Sequence, residues 1–555
     1  MDQHTIETFR DNLLSEDVEI RMEALTSIPI LLQTDDAPFI GKIVKCLQRC
    51  LFEEEELDLF ATDQLPMFTQ VLHGEDVPHV YPIFHLILDL PELSIREKGI
   101  ASFIEIINSN PQNDFIPFIE DLLKQTIYSK ISAAKLIFCL PESNSFEKKI
   151  EIIKMLINEK FPPIRKAIAN NIGRLENVPS EILEKLIKDP IDAVHVGFSR
   201  SLPLLCKRIE NVKFFKMVAE DPSWHVRYVC ATNIGKCLDN IPGEELSEEV
   251  QDIALKLLED PEDQVRAMAA SHLSEITKKL KTEVVVSEKF LQKVRNLSKD
   301  PIVHVRSSLA SSITQIAPQI GKPNSQNYLF GIIKQCLQDN NTEVRLNIIT
   351  TLDSLYYVMV LNELSADVMV TVKRLAEDSN WRCRLQTIEL IPELIRLMKE
   401  NENELVKIAL DGLKDKVYSI RMKAIDNVKK LMTTQQDGVT WIKQKMFPQI
   451  IGMASSKLYH ERIICMNCLS QIIHQFSAET ITTSIIPVLK MLITDKIPNV
   501  RFNAIKTFVV IFPLVTTSTI QNRIKPLLMA TSDDKDPDVI AELNKALDNM
   551  NQFLC

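Results

Sequence analysis

From about Val226 onward, apolar residues recur four apart rather than two. The sets Val226/Cys230/Ile234, Val265/Ala269/Leu273, Val305/Leu309/Ile313, Val344/Ile348/Leu352, Ile420/Ala424/Val428 and Val500/Ala504/Phe508 each place three apolar side chains on one side of a helix. A polar turn precedes every set. One helix pair cannot bury such a stripe alone. Stacking neighbouring pairs does so, gaining about 1.5–3 kcal/mol for each large aliphatic side chain fully removed from water.

The turns repeat as regularly as the stripes: an Asp, a short turn segment, then Val/Ile-Arg opening the apolar helix. Seven copies keep both anchors six residues apart: Asp221–Arg227, Asp260–Arg266, Asp300–Arg306, Asp339–Arg345, Asp378–Arg384, Asp415–Arg421 and Asp495–Arg501. With Arg462 included, successive Arg anchors from Arg227 to Arg501 lie 37 to 41 residues apart. That period belongs to HEAT or armadillo arrays. Reading outward, Ile20-Arg21, Leu57-Asp58, Ile95-Arg96, a weak copy near Ile131, Ile164-Arg165, Val194-His195 and Val539-Ile540 bring the count to fifteen. The second, fourth, sixth and fifteenth units have the least defined boundaries. The expectation is an all-α solenoid of about fifteen repeats over residues 1–555.

The Asp and Arg anchors have a structural explanation that takes precedence over a chemical one. A turn carboxylate accepts backbone N–H bonds where the second helix starts, and the Arg bridges to a neighbouring turn. A ladder of such pairs would lock the angle between repeats. Pro222, Pro261 and Pro301 directly follow their Asp, where a fixed φ and a missing donor suit a turn.

At 555 residues the chain is too long for one globular core, and its composition suits an array. Hydrophobic residues are 45% and charged residues 25%, with only 12 Gly and 6% aromatics. So little glycine argues against phosphate-cradling loops and turn-rich β folds. A net charge of −11 and a pI near 5.6 leave no electrostatic footprint for nucleic acid or an anionic membrane. Eleven scattered cysteines fit a reduced, cytosolic or nuclear protein without disulfides. The N-terminus has no basic region followed by an apolar core, and the most apolar run, residues 508–515, is too short to span a bilayer. Cys555 is the last residue, not fourth from the end as prenylation requires. A soluble, unanchored protein is expected.

Candidate chemistry is sparse. Cys465 and Cys468 have metal-ligand spacing but no second pair, and a structural zinc needs four ligands. Cys46 and Cys50 are helix neighbours with the same reading. His460-Glu461 resembles the start of a zincin motif, yet Ile464 stands where the second histidine belongs. No phosphate loop, dinucleotide fingerprint or nucleophile elbow occurs. Neither metal nor cofactor is expected, and no catalytic residue is assigned.

In an array of helix pairs the turns line up along one edge, the natural binding ridge. Trp224 and Trp381 occupy the same place in their units, three residues after the Asp, while Tyr418 and Tyr459 lie in equivalent turns. His225, Arg382, Lys416 and His460 stand beside them. Aromatic and basic groups are what interface centres favour.

The segments DPSWHVRYVCATNIGK (221–236), TEVRLNIITTLDSL (342–355), LAEDSNWRCRLQTIELIPEL (375–394), KDKVYSIRMKAIDNVKKL (414–431) and IPNVRFNAIKTF (497–508) resemble the scaffold (A) subunit family of protein phosphatase 2A. The resemblance implies a superhelical horseshoe that binds a B-type regulatory subunit and a phosphatase catalytic subunit in a heterotrimer and is monomeric when alone. It assigns 1–315 to the regulatory side and 355–555 to the catalytic side. The implied catalytic-subunit contacts are Trp381, Arg382, Lys416, Val417, Tyr418, Tyr459, His460, Pro498, Asn499, Pro537 and Asp538. The implied regulatory-subunit contacts are Pro163, Arg165, Lys166, Trp224 and His225. His195 and Ile540 depart from the family pattern by replacing a basic residue, and His225 replaces an Arg.

Two other readings compete: a different HEAT adaptor, such as an importin-like transport receptor or a related phosphatase regulatory subunit, and a hydrolase with an unfamiliar site. Co-purifying chains in a pull-down separate the three. The repeat register predicts a scattering profile clearly more extended than that of a compact 555-residue domain, whose radius of gyration would be about 24 Å. A measured value near that figure contradicts the array.

Overall fold

The computed structural model describes residues 3–31, 37–50, 58, 60, 64–71, 74–141, 144–243, 246–356 and 361–553. Leu57, Cys555 and the Cys50 side chain lie outside the described residues. Among those described, the chain is helix and turn without strand. It forms two compact units, residues 1–280 and 281–555.

In the first unit, consecutive second helices of the repeats, Ile127–Leu136, Pro162–Asn171, Asp192–Leu205, Trp224–Thr232 and Asp263–Ser271, pack each on the next. In the second unit the corresponding series is Val303–Ala310, Thr342–Thr350, Trp381–Leu397, Tyr418–Thr434, Tyr459–Ile472, Pro498–Ile511 and Pro537–Asn551. Each begins within a few residues of an anchor read from the sequence. All six apolar triplets are buried, from Val226/Cys230/Ile234 to Val500/Ala504/Phe508. Several first helices start at polar caps. Ser145, Ser247, Ser287, Ser477 and Thr516 each accept a backbone N–H from the opening turn.

The weak fourth repeat resolves one residue away from its expected place. Its second helix is capped by Thr126, and Lys130, four residues after that cap, stands where Arg165 stands relative to Phe161.

The middle repeats differ from the continuous helices that their pattern predicts. Their second helices break at Asn233, His272, Ser311–Ser312 and Thr351. At three of these breaks a side chain bonds back to a preceding carbonyl. Asn233 Nδ2 donates to Val229 O, Ser311 Oγ to Ser308 O, and Thr351 Oγ1 to Ile348 O. Such back-bonding competes with the helical ladder and loosens the turn. Two first helices carry a π turn just ahead of a proline, Ile481–Ile485 before Pro487 and Ile520–Ile524 before Pro526. There the missing proline N–H would interrupt an α ladder in any case.

Several cysteines are core residues in the reduced state. Cys206, Cys230, Cys237, Cys336, Cys465 and Cys468 are buried and unbridged. Burial pushes the Cys336 and Cys465 thiols up to about 12 and raises those of Cys230, Cys237 and Cys468 well above the ordinary thiol value. A thiol held there does not present the thiolate that a metal or an electrophile needs.

The energetics of the stacked stripe can be checked at its centre. Ile348→Ala should lower the unfolding free energy, measured in urea, by about 2–4 kcal/mol. Asn340→Ala, in the exposed turn of the same repeat, should change it by less than about 0.5 kcal/mol.

Candidate partner-binding ridge

The geometry of each turn follows from where its Asp and Arg donate and accept. In repeat 7, Asp221 Oδ1 accepts the Ser223 N–H at 2.8 Å, fixing the turn. Six residues on, Arg227 Nη1 donates back to Asp221 O and Pro222 O, at 2.8 and 3.1 Å. The other edge of the same guanidinium reaches the next repeat, where Nε and Nη2 form a fork with the Asp260 carboxylate at 2.6 and 2.8 Å. Arg306–Asp339, Arg384–Asp415 and Arg501–Asp534 repeat the fork, and Arg462 pairs with Asp495 at 2.6 Å. Arg266 holds the Asp260 and Pro261 carbonyls in the same way, and Asp300 Oδ1 caps its turn through Ile302 N–H.

The electrostatics follow the geometry. The carboxylate forks hold Arg227, Arg306, Arg384 and Arg501 above the ordinary arginine value. Burial alone would raise the Asp339 and Asp415 carboxyls, yet the fork and the turn amide outweigh it and keep both below the usual carboxylate range. Arg345 lacks a direct fork. Its Nη2 donates to Thr342 Oγ1 at 3.1 Å, the Thr342 hydroxyl donates to Asp378 at 2.9 Å, and Arg345 itself stands 4.0 Å from that carboxylate. Burial, with repulsion from Arg374, pulls Arg345 below its ordinary value.

The ladder includes rungs that the sequence pattern does not mark. Lys130 pairs with Glu159 at 2.6 Å, and Arg165 forks onto Asp189 at 2.6 and 3.0 Å. His195 Nδ1 meets Asp221 Oδ2 at 2.9 Å. Arg165, which the resemblance assigns to the regulatory surface, is thus 9% exposed and committed to Asp189. Its guanidinium belongs to the ladder because a buried charge requires its partner.

The remaining assigned residues line the turns. In the first unit, Pro163 and His225 are exposed, Lys166 and Trp224 are half-buried, and Trp224 stacks on His225 with centroids 3.9 Å apart. In the second unit, Arg382 is exposed and its guanidinium lies 4.7 Å from the half-buried Trp381 ring. Lys416, Asn499, Pro537 and Asp538 are exposed, while Val417, His460 and Pro498 are half-buried. Tyr418 and Tyr459 are 64% and 50% exposed, unusual for aromatic rings. Pro498 and Asn499 form one wall of a cleft of about 720 Å³, and Asp538 lies on the other.

Laying the turns side by side shows a pattern that single residues hide. Asp415-Lys416-Val417-Tyr418, Ser456-Lys457-Leu458-Tyr459 and Asp495-Lys496-Ile497-Pro498 each present an exposed lysine, then an aliphatic residue, then a ring. Leu458 and Ile497 are exposed large hydrophobics that the apolar periodicity does not single out. Their signal in the sequence is a lone aliphatic residue in the same place of successive polar turns. On a chain of net charge −11, these three turns make a basic, apolar stripe.

A family model described as PPP2R1A-like HEAT repeat matches residues 244–321. The human beta isoform of the serine/threonine-protein phosphatase 2A 65 kDa regulatory (A) subunit is 27% identical over 374 residues, 62% of this chain and 62% of that one. Over that stretch the chain is similar to the phosphatase 2A regulatory (A) subunits. The corresponding regulatory (A) subunit of protein phosphatase PP2A from Saccharomyces cerevisiae is also 27% identical, over 300 residues covering 51% of this chain and 44% of its own. The match therefore spans less than two thirds of either relative. Among solved structures, yeast importin-β (Kap95p) superposes with a TM-score of 0.57 at 13% identity, covering 100% of this chain and 73% of that one. That likeness extends to the fold, an all-helical repeat solenoid.

The His195 rung makes stability depend on pH. The Asp221 hydrogen bond raises the His195 pKa against the opposing effect of burial, and the Asp221 and Asp189 charges add to the rise. A group raised in the folded state contributes fully below its unfolded value, near 6.5, and loses that contribution as pH climbs through the folded value. The melting temperature should fall between pH 6 and pH 8. His195→Arg, which keeps its charge, should flatten that slope, so that the difference from wild type grows with pH in calorimetry.

Proposed function

We propose that this chain is a non-catalytic scaffold of a protein phosphatase 2A-type serine/threonine phosphatase. It holds the catalytic subunit on the turns of its C-terminal repeats, within 355–555, and a regulatory subunit on the N-terminal repeats, within 1–315. The observation that carries this reading is the stripe of lysines, aliphatics and rings on three successive turns of a chain related to the phosphatase 2A regulatory (A) subunits. Exposed aromatics in register are suited to anchoring a folded partner. Each such anchor is worth about 2 kcal/mol or more when truncated.

The repeat register uses nearly the whole chain for packing, and the buried thiols stand too high to act as nucleophiles. Catalysis in the assembly would therefore belong to the partner. No described helix is long and apolar enough to cross a membrane. A monomeric chain in the cytosol or nucleus completes the reading.

The test uses two double variants and two partners. Trp381→Ala with Tyr418→Ala should weaken binding of a phosphatase 2A catalytic subunit by about 3 kcal/mol, the two losses not being additive. Trp224→Ala with Lys166→Glu should impair regulatory-subunit binding and leave the catalytic pair intact. Lys166 replaces Arg165 here because Arg165 holds the ladder. Calorimetric affinities for both partners decide it: either variant abolishing both interactions with an unchanged melting profile overturns the division. The purified chain should show no phosphatase activity of its own.

A further inference from the structure

Two rungs of the second unit lack the direct fork: Arg345, which reaches Asp378 through the Thr342 hydroxyl, and Arg421, which has no such relay among the described residues. Arg421 Nη1 donates to Asp415 O and Lys416 O at 2.8 and 3.0 Å, the same hold its counterparts have on their own turns. Its other edge has nothing to meet. Nε is buried and has no hydrogen-bond partner among the described residues, and the guanidinium lies 5.7 Å from the Tyr418 ring. At Arg227, Arg306 and Arg384 a carboxylate six residues before the next Arg fills that place. Six before Arg462 stands Ser456.

Ser456 is otherwise a faithful substitute. Its Oγ accepts the Leu458 N–H at 3.1 Å, as Asp415 Oδ1 accepts that of Val417 at 2.8 Å. Its carbonyl accepts from Arg462 Nη1 at 2.8 Å, as Asp378 O does from Arg384. The turn keeps its backbone and lacks only the anion.

We propose that Ser456 is a phosphorylation site and that its phosphate closes the open fork of Arg421, coupling repeats 12 and 13. In the reaction, Ser456 Oγ attacks the γ-phosphorus of ATP held by a protein serine kinase. The Oγ–P bond forms, the bond from that phosphorus to ADP breaks, and the hydroxyl proton passes to the kinase's base. The product carries about two negative charges and three strong acceptors, suited to a bidentate guanidinium contact. Ser456 is half-buried, but Ser455, Lys457 and Leu458 around it are exposed, which leaves the turn open to an enzyme. Exposed Lys416 and Lys457 in the two turns favour the added charge.

The experiment uses the full chain. Phosphate transfer from ATP by a panel of purified protein serine kinases is read by mass spectrometry on the tryptic peptide 446–457, and label is expected on Ser456. Phosphoserine installed at 456 by genetic code expansion should slow amide exchange across Tyr418–Thr434 and Tyr459–Ile472 about tenfold, the effect of one charge-assisted pair. Ser456→Asp should reproduce part of that slowing. In an Arg421→Met background the phosphate should bring no slowing. Absence of label on Ser456 in the folded chain, label confined to Ser455, or slowing that is absent or survives Arg421→Met each overturns the proposal.

Discussion

A guanidinium held between two turns is stabilised by occupying its N–H groups, and that preference organises the second-helix face of both units. Arg227, Arg306, Arg384 and Arg501 each spend one nitrogen on a carbonyl of their own turn and the opposite edge on the next repeat's carboxylate. The first contact fixes the side chain before the second is made, so little rotamer entropy remains to be lost on stacking. A buried pair of this kind is weak evidence of net stabilisation, because desolvation offsets much of the attraction. Its effect is on register. A turn displaced by one residue strands a charge.

The same constraint sorts the turn residues into two classes. Side chains that face the neighbouring repeat are mostly charged and paired, whereas Tyr418, Leu458 and Ile497 on the rim are exposed and apolar. The proposed affinity for a phosphatase subunit would give that rim a purpose, at the energetic cost of exposed rings. Trp381 and Arg382 combine both properties, since the guanidinium lies over the indole ring of a half-buried Trp381.

Much of this was legible in the order of residues. The four-residue apolar spacing marked Val344, Ile348 and Leu352 as core because a helix has no other way to bury them. The Asp-to-Arg interval located seven turns in which the Arg holds the carbonyl of its own Asp. Asp189 and Asp534 escaped notice because the residues six after them are His195 and Ile540, which break the pattern that made the others visible. Lys130 was missed by one position for want of an Arg. The helix breaks at Asn233 and Thr351 depend on local back-bonding that an apolar pattern does not record. Along the ridge, Trp381 and Tyr418 stood out as rare residue types, while Leu458 and Ile497 became meaningful only once their turns were aligned.

The six buried thiols have a practical consequence. Among the described residues they sit in four repeats, Cys206 in one and Cys230 and Cys237 together in the next within the first unit, and Cys336 in one and Cys465 and Cys468 together on the helix Tyr459–Ile472 in the second. Each is inert while its helix is packed and becomes an ordinary thiol when that helix opens. The chain therefore carries its own set of clocks. The rate at which each cysteine takes up an alkylating reagent measures how often its own repeat comes apart, and a partner seated on one stretch of the array would slow some of these clocks and leave others running.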